Sequence, residues 1–186
     1  MKIEKDSLVY DGYFKIKKYD VKNSKNMSFE KECFEKTESV AALVYDSDND
    51  ELIFVKQYRI GAKNELLEIV AGSMDKEGES PYDTLKRELL EEIGVEIFEN
   101  NYNYYGSLYV SPGCCNEKVH LYIVNKIIKH KNQGGGVDDE EIEIVKIKSK
   151  ELIENVRNGT IKFNDMKTSF MVNIFIANLN HFLISR

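Results

Sequence analysis

The chain has 186 residues, of which 42% are hydrophobic and 31% are charged, as expected for a folded domain with a real core and not for a disordered chain. Its formal net charge of −6 gives no support to a nucleic-acid-binding groove. No window approaches the roughly 18 apolar residues of a membrane span, and MKIEKDSLVYDG at the start lacks the apolar segment of a signal peptide.

The first part of the chain predicts β-strands. Apolar and polar residues alternate in YFKIKKYDV and MSFEKECFEK, which predicts two or three strands joined by a polar turn at KNSKN. SVAALVYD and ELIFVKQYR, separated by SDND, predict a hairpin, and ELLEIVAG predicts one short strand. The amphipathic strands within residues 1–37 need a partner surface. We therefore expect residues 1–37 to form a small β subdomain and residues 38–186 the main domain.

A well-delimited helix follows the polar loop GSMDKEGES. Ser80 is a candidate N-cap, Pro81 suits the first helical position, and Asp83 stands where a capping-box acid belongs. Gly94 predicts the C-terminal end. An apolar stripe for the core recurs at helical spacing: Tyr82, Leu85, Leu89 and Ile93.

The rest of the chain mixes strands and helices. YYGSLYV, KVHLYIVNKI and EIEIVKI predict strands, whereas SKELIENVRNG, ending at Gly159, and SFMVNIFIANLNHFL predict helices. Gly134–Gly136 and the following VDDEE predict a mobile acidic loop. Strands with few, separated helices predict an α+β fold.

The three cysteines do not indicate a disulfide framework. Their number is odd, Cys114 and Cys115 are adjacent, and Cys33 stands alone. We expect reduced thiols in a cytoplasmic protein, with no nucleic acid and no membrane among its partners.

The delimited helix carries an unusual group of acids. Glu88, Glu91 and Glu92 stand at i, i+3 and i+4, so they share one face and repel one another. Only Arg87 compensates locally, whereas a hard cation such as Mg²⁺ or Mn²⁺ would neutralise three carboxylates. The alternative, an ordinary solvated charged face, stays open on spacing alone.

From Glu79 to Val95 the sequence resembles the Nudix box: a glutamate, seven residues, then Arg-Glu-aliphatic-x-Glu-Glu-x-Gly-aliphatic. The preceding glycine, Gly72, is separated from Glu79 by six residues, where that family usually has five. The resemblance implies an α/β/α sandwich with a mixed central sheet, beside a small N-terminal antiparallel β subdomain.

The resemblance also implies roles for individual residues. Glu88 and Glu92 would be the principal ligands of Mg²⁺, or of Mn²⁺ in its place, with Glu91 assisting and the carbonyl of Ala71 as a further ligand. The structural residues of the box would be Gly72, Glu79, Arg87 and Gly94, with Arg87 and Glu79 pairing to fix the helix against its loop.

Five further stretches resemble the ADP-ribose and nucleoside-diphosphate-sugar pyrophosphatases of this family. SPGCCNEKVHLYIV resembles their loop with a glutamate that orients or deprotonates the attacking water, here Glu117. FVKQYR implies that Arg59 contacts substrate. LEIVAG, with Val70 in place of the usual proline, implies that Glu68 lies near the nucleoside or ribose. GGGVDDEEIEIV and NGTIKFNDMKT resemble the branch that acts on GDP-mannose or UDP-glucose.

We therefore expect a Nudix hydrolase that cleaves a nucleoside diphosphate sugar, with ADP-ribose first and GDP-mannose or UDP-glucose close behind. In the resembling group the N-terminal strands exchange between two subunits, so we expect a homodimer. Two alternatives remain: a house-cleaning (d)NTP pyrophosphatase, and a Nudix domain that senses a nucleotide sugar without cleaving it.

Overall fold

The computed structural model describes residues 1–130, 135 and 141–179. Its N-terminal part is a three-stranded antiparallel sheet of β1 (Lys2–Asp11), β2 (Lys15–Lys22) and β3 (Ser28–Glu35), in that order. Asn23 holds the turn after β2, because its Oδ1 accepts hydrogen bonds from two backbone N–H groups. The strands predicted from the alternating pattern are therefore present, and β1 is exposed along its whole length.

A mixed sheet forms the centre of the main body. The remaining strands, in chain order, are β4 (Ser39–Asp46), β5 (Glu51–Arg59), β6 (Asn64–Glu68), β7 (Val70–Ser73), β8 (Val95–Glu96), β9 (Tyr102–Tyr109), β10 (Lys118–Val124), β11 (Lys129–His130) and β12 (Glu143–Lys148). The spatial order is β12-β5-β4-β10-β9, with β6 against β5 and β7 against β4, while β8 and β11 pair separately. Only β4 and β10 run parallel among the described pairs.

Helices cover both faces of this sheet. α1 (Pro81–Ile93) packs on one face, and α2 (Ser149–Arg157) and α3 (Met166–Ala177) pack on the other. β4 is buried throughout and its side chains alternate between the two cores. Those that face α1 are Val40, Ala42 and Val44, and those that face α2 and α3 are Ala41, Leu43 and Tyr45. The fold is α+β, an α/β/α sandwich with a mixed central sheet and a small antiparallel sheet, as predicted.

Among the differences from the predicted elements, two have a clear physical cause. ELLEIVAG is two strands, because the chain crosses from β5 to β4 at Ile69, whose N–H donates to Thr168 Oγ1 at 3.0 Å instead of to a strand. The last helix begins earlier than predicted, at Met166, because the side chain of Asp165 caps it by accepting from the Thr168 N–H at 2.9 Å. The predicted acidic loop lies outside the described residues apart from Gly135 and Glu141.

The structure also bears on two expectations from the sequence, those concerning membrane spans and disulfides. Within the described ranges, no helix has the length and apolar character needed to cross a membrane. All three cysteines are free thiols.

Candidate active site

One cleft of about 1170 Å³ collects most of the predicted site residues. Its walls come from the N-terminal sheet, β5, β7, α1, the segment before β10 and the start of α3. The predicted residues that line it are Arg59, Glu68, Ala71, Gly72, Arg87, Glu88, Glu91 and Glu117. Glu79, Glu92 and Gly94 are not part of this lining.

Helix α1 is fixed at both ends by local hydrogen bonds. Ser80 Oγ accepts from the Asp83 N–H at 3.2 Å, and Asp83 Oδ2 accepts from the Ser80 N–H at 3.3 Å, so the predicted capping box is present. At the other end, Gly94 has φ 66, in the left-handed region that favours glycine, and its N–H donates to the carbonyl of Leu90. The caps fix where the helix begins and ends, and the burial of Leu85, Leu89 and Ile93 against the sheet fixes which face is turned inward.

The acidic face of α1 is turned inward. Glu88 is 9% exposed and Glu92 only 4%, while Glu91 is half-buried. The alternative of a solvated charged face is therefore wrong for Glu88 and Glu92. Gly72 on β7 makes this packing possible, because a Cβ at that position would overlap the carboxyl group of Glu88.

Arg87 is the local counter-charge for these acids. Its guanidinium donates to Glu79 from Nε at 3.2 Å, and its Nη1 donates to Glu88 at 2.6 Å and Glu91 at 3.0 Å. Nη2 reaches the carbonyl of Ser73 at 3.1 Å, which ties the helix to β7. Partial burial alone would lower the pKa of Arg87, but its carboxylate neighbours raise it above its ordinary value.

The donor set fits a hard divalent cation by its chemistry. Carboxylates and a backbone carbonyl are oxygen ligands of the kind that Mg²⁺ prefers, and Gly72 leaves room for the Glu88 carboxylate against β7. As the side chains stand, no three His, Cys, Asp or Glu residues in the described part of the chain converge closely enough to hold a metal ion. Glu88 and Glu91 are bonded to Arg87 instead, so a cation would have to draw them away from it.

A second group of charged residues lies across the same cleft. The sequence predicted Arg59 and Glu68 of this group but not Lys167. Arg59 Nε and Nη2 donate to the two carboxylate oxygens of Glu68, both at 2.9 Å, and Lys167 Nζ donates to Glu68 at 2.8 Å. Lys167 also pairs with Asp165 at 2.9 Å. Burial alone would raise the pKa of Glu68, which is 1% exposed, but Arg59 and Lys167 lower it. Lys167 was missed because it stands 99 positions from Glu68.

Glu117 is held by two residues that the sequence did not single out. Its Oε1 accepts from Lys36 Nζ and from Ser39 Oγ, both at 3.1 Å. The Glu117 side chain is 14% exposed. Lys36 and Ser39 lie about 80 positions upstream. The parallel pairing of β4 with β10 and hydrogen bonds across the preceding loop bring them beside Glu117, so no local signal could have found them.

Known proteins resemble this chain over most of its length. The family profile described as NUDIX domain matches residues 35–164. A GDP-mannose pyrophosphatase of Cronobacter sakazakii is 29% identical over 179 residues, covering 90% of this chain and 91% of that protein. The GDP-mannose pyrophosphatase of Shigella flexneri serotype 5b is 27% identical over 180 residues, 91% of each chain.

The solved structures show the same fold. A crystal structure of an ADP compounds hydrolase superposes with a TM-score of 0.80 at 20% sequence identity, over 97% of this chain and 94% of that one. This likeness concerns the fold alone. Since the family profile covers well over half of the sequence, including all of α1 and the cleft residues Arg59, Glu88 and Glu117, the chain belongs to the Nudix family.

Proposed function

We propose that this protein is a Mg²⁺-dependent hydrolase that cleaves the pyrophosphate bond of a nucleoside diphosphate sugar. The observation that carries the proposal is the cleft itself, in which the inward acidic face of α1 and the cations Arg59 and Lys167 line one space. Its volume exceeds the usual range for drug-sized ligands, so it has room for a nucleotide sugar.

GDP-mannose is the substrate to be tested first. The relatives named GDP-mannose pyrophosphatase match about nine-tenths of both chains, which is more of this chain than the family profile covers at residues 35–164. ADP-ribose and UDP-glucose carry the same pyrophosphate between a nucleoside and a sugar and are the necessary comparisons.

The residues of the cleft, together with the buried Glu92 of α1, divide into three roles. Glu88 and Glu92, with Glu91 and the carbonyl of Ala71, would hold the divalent cation. When bound, this cation would neutralise charge on the pyrophosphate and lower the pKa of the attacking water. Glu117 would orient or deprotonate that water.

The remaining charged residues prepare the cleft for substrate. Arg59 would bind the anionic part of the substrate, and Glu68 holds Arg59 in place through two parallel hydrogen bonds. Attack of water on one phosphorus then breaks the P–O–P bond and releases a nucleoside monophosphate and a sugar phosphate.

Product analysis tests the reaction directly. The purified protein with Mg²⁺ would be offered GDP-mannose, ADP-ribose, UDP-glucose and a dNTP separately, in water enriched in ¹⁸O. We expect GMP and mannose 1-phosphate from GDP-mannose, with the label in only one of the two products because water attacks a single phosphorus. Pyrophosphate from the dNTP alone would replace the proposal with a house-cleaning enzyme.

Two variants test the assignment of the metal ligands. Glu92→Gln should lower kcat at least about 100-fold, since a bound cation contributes several kcal/mol to charge stabilisation. Glu99→Gln, an exposed glutamate beyond the end of α1, is the matched control and should keep full activity. Nucleotide-sugar-dependent melting without any product from the unaltered protein would indicate a sensing domain and contradict the proposal.

A further inference from the structure

The loop that carries Glu117 is tied to the connection between the two sheets. We call residues 34–39 the connector and residues 111–117 the Glu117 loop. The Phe34 N–H donates to the carbonyl of Cys114 at 2.8 Å, and the Asn116 N–H donates to the carbonyl of Phe34 at 3.3 Å. Together these bonds make an isolated parallel bridge between Phe34 and Cys115, so the Glu117 loop continues the N-terminal sheet by one residue pair.

The side chain of Asn116 completes this attachment. Its Oδ1 accepts from the Lys36 N–H at 2.8 Å, and its Nδ2 donates to Glu35 Oε2 at 3.2 Å. The other oxygen of Glu35 accepts from the hydroxyl of Tyr19 on β2 at 2.9 Å. Burial, together with this hydrogen bond to Glu35, raises the pKa of Tyr19 to about 12, so the hydroxyl remains a donor at neutral pH.

The Glu117 carboxylate is bound by the same connector. Lys36 and Ser39 both donate to Glu117 Oε1, and the next residue of the chain, Lys118, begins β10. Glu117 is therefore fixed on one side by the central sheet and on the other by Asn116. Asn116 itself does not line the cleft, so its effect on substrate would be indirect.

We propose that Asn116 is a positioning residue, which holds the Glu117 carboxylate in the cleft by joining its loop to the connector and so makes turnover depend on the N-terminal sheet. The proposal rests on the role given to Glu117 above. Its physical basis is geometric, since a misplacement of about 1 Å in a reacting group can cost roughly 100-fold in rate.

The first test removes both hydrogen bonds of the amide. Asn116→Ala should lower kcat by about 10- to 100-fold, with KM within about twofold, because the group affected acts on water and not on substrate binding. Amide hydrogen exchange should become faster at residues 110–117 and 34–36, which is a readout independent of activity. Asn49→Ala is the matched control, because it removes a hydrogen bond of 2.8 Å from the Asn49 side chain to Asp46. This bond lies in the turn after β4, at the opposite end of that strand from Ser39.

A pair of substitutions offers a rescue that a general loss of stability would not show. Asn116→Asp keeps the acceptor for the Lys36 N–H but places a second carboxylate against Glu35, so kcat should fall. Adding Glu35→Gln supplies an amide donor in place of that carboxylate. The kcat of the double variant should therefore lie above that of Asn116→Asp and close to that of Glu35→Gln alone.

The outcomes distinguish the two proposals. Unchanged hydrogen exchange in Asn116→Ala, or faster exchange with an unchanged kcat, would overturn the positioning role. If Glu117→Gln also leaves kcat unchanged, the role of Glu117 fails as well. A protein inactive on every nucleotide sugar would contradict the proposed function, while the exchange measurement would still decide whether Asn116 fixes the loop.

Discussion

Gly72 shows how a single missing side chain shapes the cleft. Its lack of a Cβ lets the Glu88 carboxyl group lie directly against β7. We expect Gly72→Ala to lower kcat by about 100-fold while changing the free energy of unfolding little, because the overlapping group is the mobile end of a side chain and can move away at the expense of the site. Paired activity and urea-unfolding measurements check this.

Gly61→Ala is the matched control for that substitution. A Cβ at Gly61 would have no atom within 4 Å, so both activity and stability should stay near those of the unaltered protein. If Gly72→Ala retained full activity, the close approach of Glu88 to β7 would have no bearing on catalysis.

Glu68 links stability to pH through its two cations. Because Arg59 and Lys167 lower its pKa below the ordinary 4.5, the charged form stabilises the fold above that pH, and the contribution is lost as pH falls through the lowered value. We expect Glu68→Gln to cost about 2 kcal/mol at pH 7, less than a fully buried pair because the Arg59 side chain is 39% exposed.

Urea unfolding at a series of pH values from 7 downward measures this dependence. The difference in unfolding free energy between Glu68→Gln and the unaltered protein should shrink as the pH falls through the lowered pKa of Glu68, because the unaltered side chain then also loses its charge. Glu65→Gln on the same strand is the control, since its ion pair with Lys56 is exposed and should contribute less than about 1 kcal/mol. A difference that persists undiminished in acid would refute the linkage.

At the scale of elements, the residue that caps α3 also takes part in the charged cluster of the cleft. Asp165 caps the helix through the Thr168 N–H and also pairs with Lys167 in the cleft. Asp165→Ala should destabilise the protein by about 1 kcal/mol through loss of the cap. Asp165→Ser, which keeps a capping oxygen without the charge, should recover most of that stability in thermal unfolding, and equal losses in the two variants would argue against the cap.

Which elements the sequence predicts depends on how local their causes are. The start of α1 was predictable because Ser80 and Asp83 are three residues apart and bond to each other. The break between β6 and β7 was not, because Ile69 bonds to Thr168 across 99 positions. The cleft follows the same rule: the acidic face is visible in one helix, whereas the contacts of Glu117 depend on strand order.

At the scale of the whole molecule, the N-terminal sheet lacks cover. Large apolar side chains on it are exposed, among them Ile3 at 60%, Leu8 at 46%, Val9 at 50% and Tyr10 at 57%. Such a surface is typical of an interaction site. We expect residues 1–37 to act as a dimerisation subdomain that exchanges strands with a second copy of the chain.

Size-exclusion chromatography with light scattering tests this assembly. We expect a mass of about twice the 21.5 kDa of one chain. Replacing Leu8 and Tyr10 by Lys should give the monomer while α1 and its cleft remain folded, as judged by circular dichroism. A monomeric mass for the unaltered protein at micromolar concentration would exclude the dimer.

Because the chain crosses from β5 to β4 at Ile69, the length of the backbone limits the distance between the two charged parts of the cleft. Glu68, which holds the cations, and Gly72, which receives Glu88, are four residues apart, so at most about 14 Å of continuous chain separates them. One inserted residue after Ile69 would bring Ala71 to the position of Gly72 and place a methyl group where Glu88 lies. We therefore expect the stretch from Glu68 to Gly72 to keep its length, because an insertion there would disturb the site even if both strands stayed paired.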